Sequence, residues 1–223
     1  MRVHTYVIAV DSGAAPNYDK PFTTLAVCKP RIRKKAQPGE LVLAFAGAKL
    51  NAHEPHTVVW AGIVKEKLSF ADYWNDQRFA GKKPACWNTD NSCKQQNDCH
   101  RTGQCAHPDN FYRPVDGGLL WVVNPVHGPE DAQHDTNGQY VLALDPSWHF
   151  GANGPPLPAS FDLRMTHGRR GERIADLTDA EWRRLKAWLD DQDPLKAATS
   201  STTQRCNFSN KTTPQSPPRR KTC

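Results

Sequence analysis

The chain has 223 residues, of which 38% are hydrophobic and seven are Trp, enough to bury a core for one large domain or, less readily, two small ones. Lys and Arg number 29 against 23 Asp and Glu, but six of the cations lie in residues 194–223, which carry no acid; residues 1–193 are formally neutral, and any cationic surface there must come from local clustering. No apolar run approaches the roughly 18–20 residues of a membrane span, and Val3 to Val10 is too short and polar-flanked for a signal peptide, so a cytoplasmic protein is expected, its seven Cys free or metal-bound rather than paired.

In chain order, Val3 to Val10 alternates as a strand and stops at Asp11-Ser12-Gly13, where Gly, Pro and Asn dictate a series of turns. The unit from Thr23 to Glu66 is the one around which the chain is organised: a strand from Thr23 to Lys29, a basic turn from Pro30 to Lys35, the step Pro38-Gly39-Glu40, a strand from Leu41 to Phe45 and another from Thr57 to Val64. Ser69 caps a predicted short helix whose third position is Asp72. From Asn75 to Asn110 periodicity is lost, as expected of a functional, metal-organised or disordered loop. Strands are predicted again at Leu119 to Val123 and Gln139 to Leu144, with turn chemistry at Trp148 to Gly151. Thr178 and Glu181 form a capping box for a closing helix with Trp182, Leu185, Trp188 and Leu189 at helical spacing. Its acidic end (Asp190, Asp191, Asp193) opposes the helix dipole and predicts fraying before Pro194. The Ser/Thr/Pro/Lys/Arg-rich remainder, residues 194–223, is expected to be a disordered basic tail.

Five of the eight residues from Lys29 to Ala36 are cationic, a density suited to neutralising phosphates. Among the aromatics, Trp60 and Trp121 lie in apolar runs and read as core, whereas Tyr112 and Trp148 sit beside polar residues and are candidates to stack on a base. Cys86, Cys93, Cys99 and Cys105, with His100 and His107, fall in a segment that has no core of its own, so zinc could organise it; the intervals of six, five and five residues lack the close Cys pair of a zinc knuckle. Phosphate-loop, serine-hydrolase and zinc-protease signatures are absent. Groups able to support catalysis are scattered: Asp11, Asp109, His134, Asp135 and Cys28. Asp11 and Asp135 precede turn residues, where Asp bonds its own backbone, and Cys28 reads as a small buried hydrophobe.

Several short blocks resemble one family. The run Y-V-I-A-V-D-S-G-A-A-P-N from Tyr6, C-K-P-R-I-R-K-K-A-Q-P-G-E-L-V-L from Cys28 and A-D-Y-W-N-D-Q-R-F from Ala71 are similar to the nucleotide modification associated domain 2 family, as are Asp109-Asn110-Phe111-Tyr112, His134-Asp135-Thr136 and Trp148-His149-Phe150-Gly151. The likeness spans roughly residues 3–160, and departs from the family at Gly39-Glu40, where Gly-Asp is usual, and in a Cys-rich insertion at 84–108. It implies association with modified nucleobases, and more loosely the PUA-type barrels of ASCH and EVE domains. The expectation is a single α+β domain over residues 1–193, built on a PUA-like, partly closed mixed β-barrel with short peripheral helices. Its expected role is to bind DNA or RNA with modified bases, or a modified nucleotide. Lys29, Arg31, Arg33 and Lys35 would hold phosphates, Asp11, Asn17, Asp109, Asn110 and Asp135 would bond base edges, and Tyr112 or Trp148 would stack. The rivals are an enzyme with Asp11 or Asp135 as general base, and an interaction module organised by zinc on Cys86, Cys93, Cys99 and Cys105.

Overall fold

A run of six apolar residues, Leu-Val-Leu-Ala-Phe-Ala, has no polar face and must lie in the middle of a sheet covered on both sides. It does: β3 (Leu41–Ala46) is fully buried between β1 (Arg2–Ile8), its parallel neighbour, and the antiparallel β4 (Val58–Ser69). The computed structural model describes residues 1–9, 11, 13–51, 57–84, 108–122, 127–163 and 171–192. Among them, β2 (Thr23–Leu25), β7 (Tyr140–His149) and β8 (Glu172–Asp176) complete a six-stranded mixed sheet in the order β2-β7-β4-β3-β1-β8, and β5 (Tyr112–Val115) pairs with β6 (Gly118–Trp121) as a separate hairpin.

The sheet is packed on both faces. On one, Val3, Leu41, Leu43, Phe45 and Trp148 meet Leu185 and Leu189 of the closing helix α4 (Asp179–Asp191). On the other, Tyr6, Val42, Trp60 and Leu144 meet Ile32 of α1 (Pro30–Lys35) and the loop carrying Ala15 and Tyr18. A third cluster gathers Phe70, Tyr73 and Trp74 of α2 (Phe70–Asn75) with Phe79, Phe111 and Tyr112. A short helix, α3 (Ala132–Thr136), precedes β7.

The local signals at α2 and α4 hold. Ser69 Oγ accepts from Asp72 N at 3.0 Å. Thr178 Oγ1 accepts from Glu181 N at 3.3 Å, while Glu181 Oε2 accepts from Thr178 N at 2.8 Å. The acidic end of α4 is anchored, because Asp190 takes the Trp148 indole N–H at 3.1 Å and the Lys186 ammonium at 2.7 Å.

Several details differ from the sequence expectations, and the barrel is not confirmed. The basic turn is the helix α1, started by Pro30 at a position where its missing N–H costs nothing and ended by Arg33, Lys34 and Lys35, which suit the negative end of the dipole. The preceding strand stops at Leu25, and Cys28 and Lys29 turn left-handed. Trp148 and His149 end β7 rather than forming a turn, and β5 and β8 were hidden by their half-exposed, non-alternating composition. Among the described residues β2 and β8 remain separate edges, so the sheet is open and no pairing closes it into a barrel.

Candidate active site

The chain leaves β2 through a sharp elbow. Cys28 and Lys29 have φ of 54° and 42°, a left-handed pair without glycine, and α1 begins immediately after. Each such residue costs about 1–3 kcal/mol and persists only where its surroundings hold it. Here Asp135 Oδ1 accepts from Cys28 N at 2.8 Å, and Arg33 Nε donates to Cys28 O at 2.8 Å. The Arg33 guanidinium also donates to Tyr140 O at 2.7 Å and to Asp135 O. Arg33 is fully buried, and its burial lowers it to about 10, still charged at neutral pH. Glycine is required beside it, since a Cβ on Gly138 would sit 2.5 Å from Arg33 Cζ. Gly138→Ala should therefore lower stability by about 1–3 kcal/mol, read as a shifted urea midpoint at constant slope.

The elbow aims the Cys28 thiol at an imidazole. Cys28 Sγ lies 3.5 Å from His127 Nε2, and His127 Nδ1 lies 2.8 Å from Asp135 Oδ2. The Tyr112 hydroxyl donates to that same oxygen at 2.8 Å. The 2.8 Å approach of the carboxylate favours the proton on Nδ1, although the contact lies outside hydrogen-bond alignment, and a proton there leaves Nε2 facing the thiol as an acceptor. Burial pushes Asp135 up, but the His127 contact, the Cys28 N–H and the Tyr112 hydroxyl outweigh it and hold the carboxyl below its ordinary range. Tyr112 is raised, first by burial and then by Asp135, and stays a neutral donor. A thiol, an imidazole and a carboxylate thus stand in line, an order that can activate a thiol.

The same three side chains could be considered for a metal, since one ligand atom from each lies within 4.8 Å of the others. Zinc bonds of about 2.0–2.3 Å require ligands that converge on one point. Cys28 and Asp135 instead face opposite nitrogens of His127, and both carboxylate oxygens already accept hydrogen bonds. The set is strung along the ring, which fits proton transfer better than coordination.

The other expected site residues are dispersed. Asn17, Asp109 and Asn110 are buried and joined to one internal network. Asp109 accepts from the Tyr73 hydroxyl and Thr24 Oγ1, each at 2.6 Å. The buried Lys82 ammonium donates to Asn17 Oδ1 at 2.8 Å and Thr24 Oγ1 at 3.0 Å, and Asn110 Nδ2 donates to Tyr73 O at 3.0 Å. Tyr112 and Trp148 are buried in the core, and Arg33 is part of the elbow's frame. Arg31 and Lys34 are exposed on α1, Lys29 is half-buried with its ammonium 4.9 Å above the Tyr6 ring, and Lys35 is exposed but paired with Glu172. Asp11 is bonded to His149 Nε2 at 3.1 Å. His134 faces outward into an open polar hollow shared with Gln133, Thr136, Asn137 and Gln139. Cys86, Cys93, Cys99 and Cys105 lie outside the described residues, as does the 194–223 tail.

His127 carries no sequence signal strong enough to single it out. It follows Pro125-Val126 in the sequence, in no motif, 99 residues after Cys28. Its only local mark is the pair His127-Gly128 at the head of the turn that leads to Asp135.

Residues 1–205 match the family described as nucleotide modification associated domain 2. The chain belongs to that family. The matched range takes in every element of the sheet and all of the thiol–imidazole–carboxylate line. No curated protein and no solved structure matches the chain. Among the described residues no helix is long and apolar enough to cross a membrane.

Proposed function

We propose that this protein is a thiol-dependent enzyme acting on a nucleotide or on a nucleotide within nucleic acid. The observation that carries this reading is the line from Cys28 Sγ through His127 to Asp135, set at a left-handed elbow between a strand and a helix. His127 Nε2 accepts the thiol proton as sulfur bonds to an electrophilic carbon of the substrate, and the imidazolium returns that proton to the departing or newly formed group. A water or an acceptor then displaces sulfur and regenerates the thiol. Asp135 is a positioning residue: it fixes the ring and stabilises the imidazolium while Tyr112 and the Cys28 N–H fix the carboxylate. Arg31, Lys34 and Lys29 supply positive charge beside the elbow for phosphate.

A non-catalytic module that recognises a modified base is the second reading, supported by the same exposed cations of α1. Most groups that would have bonded or stacked on the base are already committed inside the protein.

The deciding experiment incubates the protein with deoxynucleotides and oligonucleotides bearing plain, methylated, hydroxymethylated and glucosylated bases, and tracks the products by mass spectrometry. The expected result is a converted nucleotide with wild type and at least about 10³-fold slower conversion with Cys28→Ala. Undiminished conversion by Cys28→Ala would remove the thiol from the mechanism. Modification-dependent binding that leaves every ligand intact would establish the second reading.

A further inference from the structure

Asp11, Tyr18 and His149 form a second cluster that the thiol line does not use. The Tyr18 ring lies on the His149 imidazole with centroids 3.5 Å apart and planes 23° from parallel. Asp11 Oδ2 takes His149 Nε2 at 3.1 Å, which pins the ring within its plane. Yet the His149 side chain is 37% exposed. A flat ring that is covered on one face by a second ring, held at its edge by a carboxylate and still open to solvent is a half-built stack.

The sheet sets the position of this ring. Tyr6 pairs with Ala44, Ala44 with Trp60 and Trp60 with His149, so the four occupy one row across β1, β3, β4 and β7. Tyr6, Ala44 and Trp60 belong to the core on the α1 side, which puts His149 on the face that carries the Cys28 elbow. In the same row the Trp60 indole donates to the Tyr6 hydroxyl at 2.9 Å, and the Lys29 ammonium sits over the Tyr6 ring. The row therefore runs from an exposed aromatic seat at one end to a cation adjoining the thiol at the other.

We propose that the open face of His149, backed by Tyr18 and oriented by Asp11, is the seat on which a nucleobase stacks. Bases stack on aromatic and imidazole faces whatever their edge pattern, so the seat confers affinity for a base and leaves discrimination to other groups. The inference rests on the reading that the ligand is a nucleotide and is independent of the thiol step.

The test is calorimetric titration of the full chain with deoxynucleoside 5′-monophosphates, including 5-hydroxymethylated deoxycytidine monophosphate, and with ribose 5-phosphate, which lacks a base. His149→Ala should weaken nucleotide binding about 10- to 100-fold and leave ribose 5-phosphate binding unchanged. His149→Phe keeps a stacking face without the Asp11 bond and should recover most of the affinity, which separates stacking from a general loss of structure. Cys28→Ser should bind as wild type does, so a failed thiol mechanism leaves this result standing. Nucleotide binding by His149→Ala equal to wild type would overturn the seat, as would equal affinity of the wild type for nucleotide and ribose 5-phosphate, or no binding of any nucleotide.

Discussion

Replacing Asp135 with Asn is expected to slow nucleotide conversion by about 10³- to 10⁴-fold. The amide retains one oxygen, but it offers an N–H where a charged carboxylate oxygen lies 2.8 Å from His127 Nδ1, so no negative charge favours the proton on that nitrogen. The ring then presents an N–H to Cys28, and the thiol has no base. A purely structural role for Asp135 would lower the amount of active protein without moving the pH dependence of the active fraction. A positioning role shifts the rising limb of the pH–rate profile upward, because the thiolate must then form without the imidazole. Both are read by active-site titration and then by rate measurements across pH. An unchanged profile at full folded content would remove Asp135 from the proposed mechanism.

The second large effect is on stability. Asp109→Leu should cost about 3–5 kcal/mol, measured by urea denaturation. The substitution leaves the hydroxyls of Tyr73 and Thr24 without their carboxylate and leaves the buried Lys82 ammonium without that charge nearby. Asp109→Asn keeps an acceptor and should cost clearly less. The pH dependence separates the two effects. Burial raises the Asp109 carboxyl, with Lys82, Thr24 and Tyr73 pulling against it, so its folded value lies above the unfolded value of about 3.9. The native state then holds the proton more tightly, and this group's contribution to stability is full below the unfolded value and declines as pH rises through the folded one. Asp109→Asn should flatten that part of the stability curve.

Local rules made much of this molecule legible. Ser69 and Thr178 announce helix starts through side chains that must satisfy nearby backbone N–H groups, and the apolar run at β3 announces a central strand because it has no polar face to give to water. What stayed hidden depends on contacts distant in the chain. Arg33 is indistinguishable in sequence from Arg31 and Lys34, yet three carbonyls at Cys28, Asp135 and Tyr140 draw it inside while its neighbours face solvent. Cys28 reads as a small hydrophobe, and it is buried; the groups that face it, His127 and Asp135, come from 99 and 107 residues away. Tyr112 and Trp148 read as exposed stackers because their sequence neighbours are polar, but each has its own ring in the core, with the Tyr112 hydroxyl on the buried Asp135 and the Trp148 indole N–H on the half-buried Asp190.

The open sheet has a consequence for how the protein is made. The partner of β1 on one flank, β3, is synthesised by Ala46, but the partner on its other flank, β8, only by Asp176, which lies opposite Arg2. At ribosomal speeds of about 5–20 residues per second, a flank of the nascent chain stays unpaired for roughly ten to thirty seconds. A bare strand edge of this kind is what other chains add to. The newborn protein is thus a natural client for a holding chaperone, and its yield in a cell should depend on chaperone supply more than its final stability would indicate.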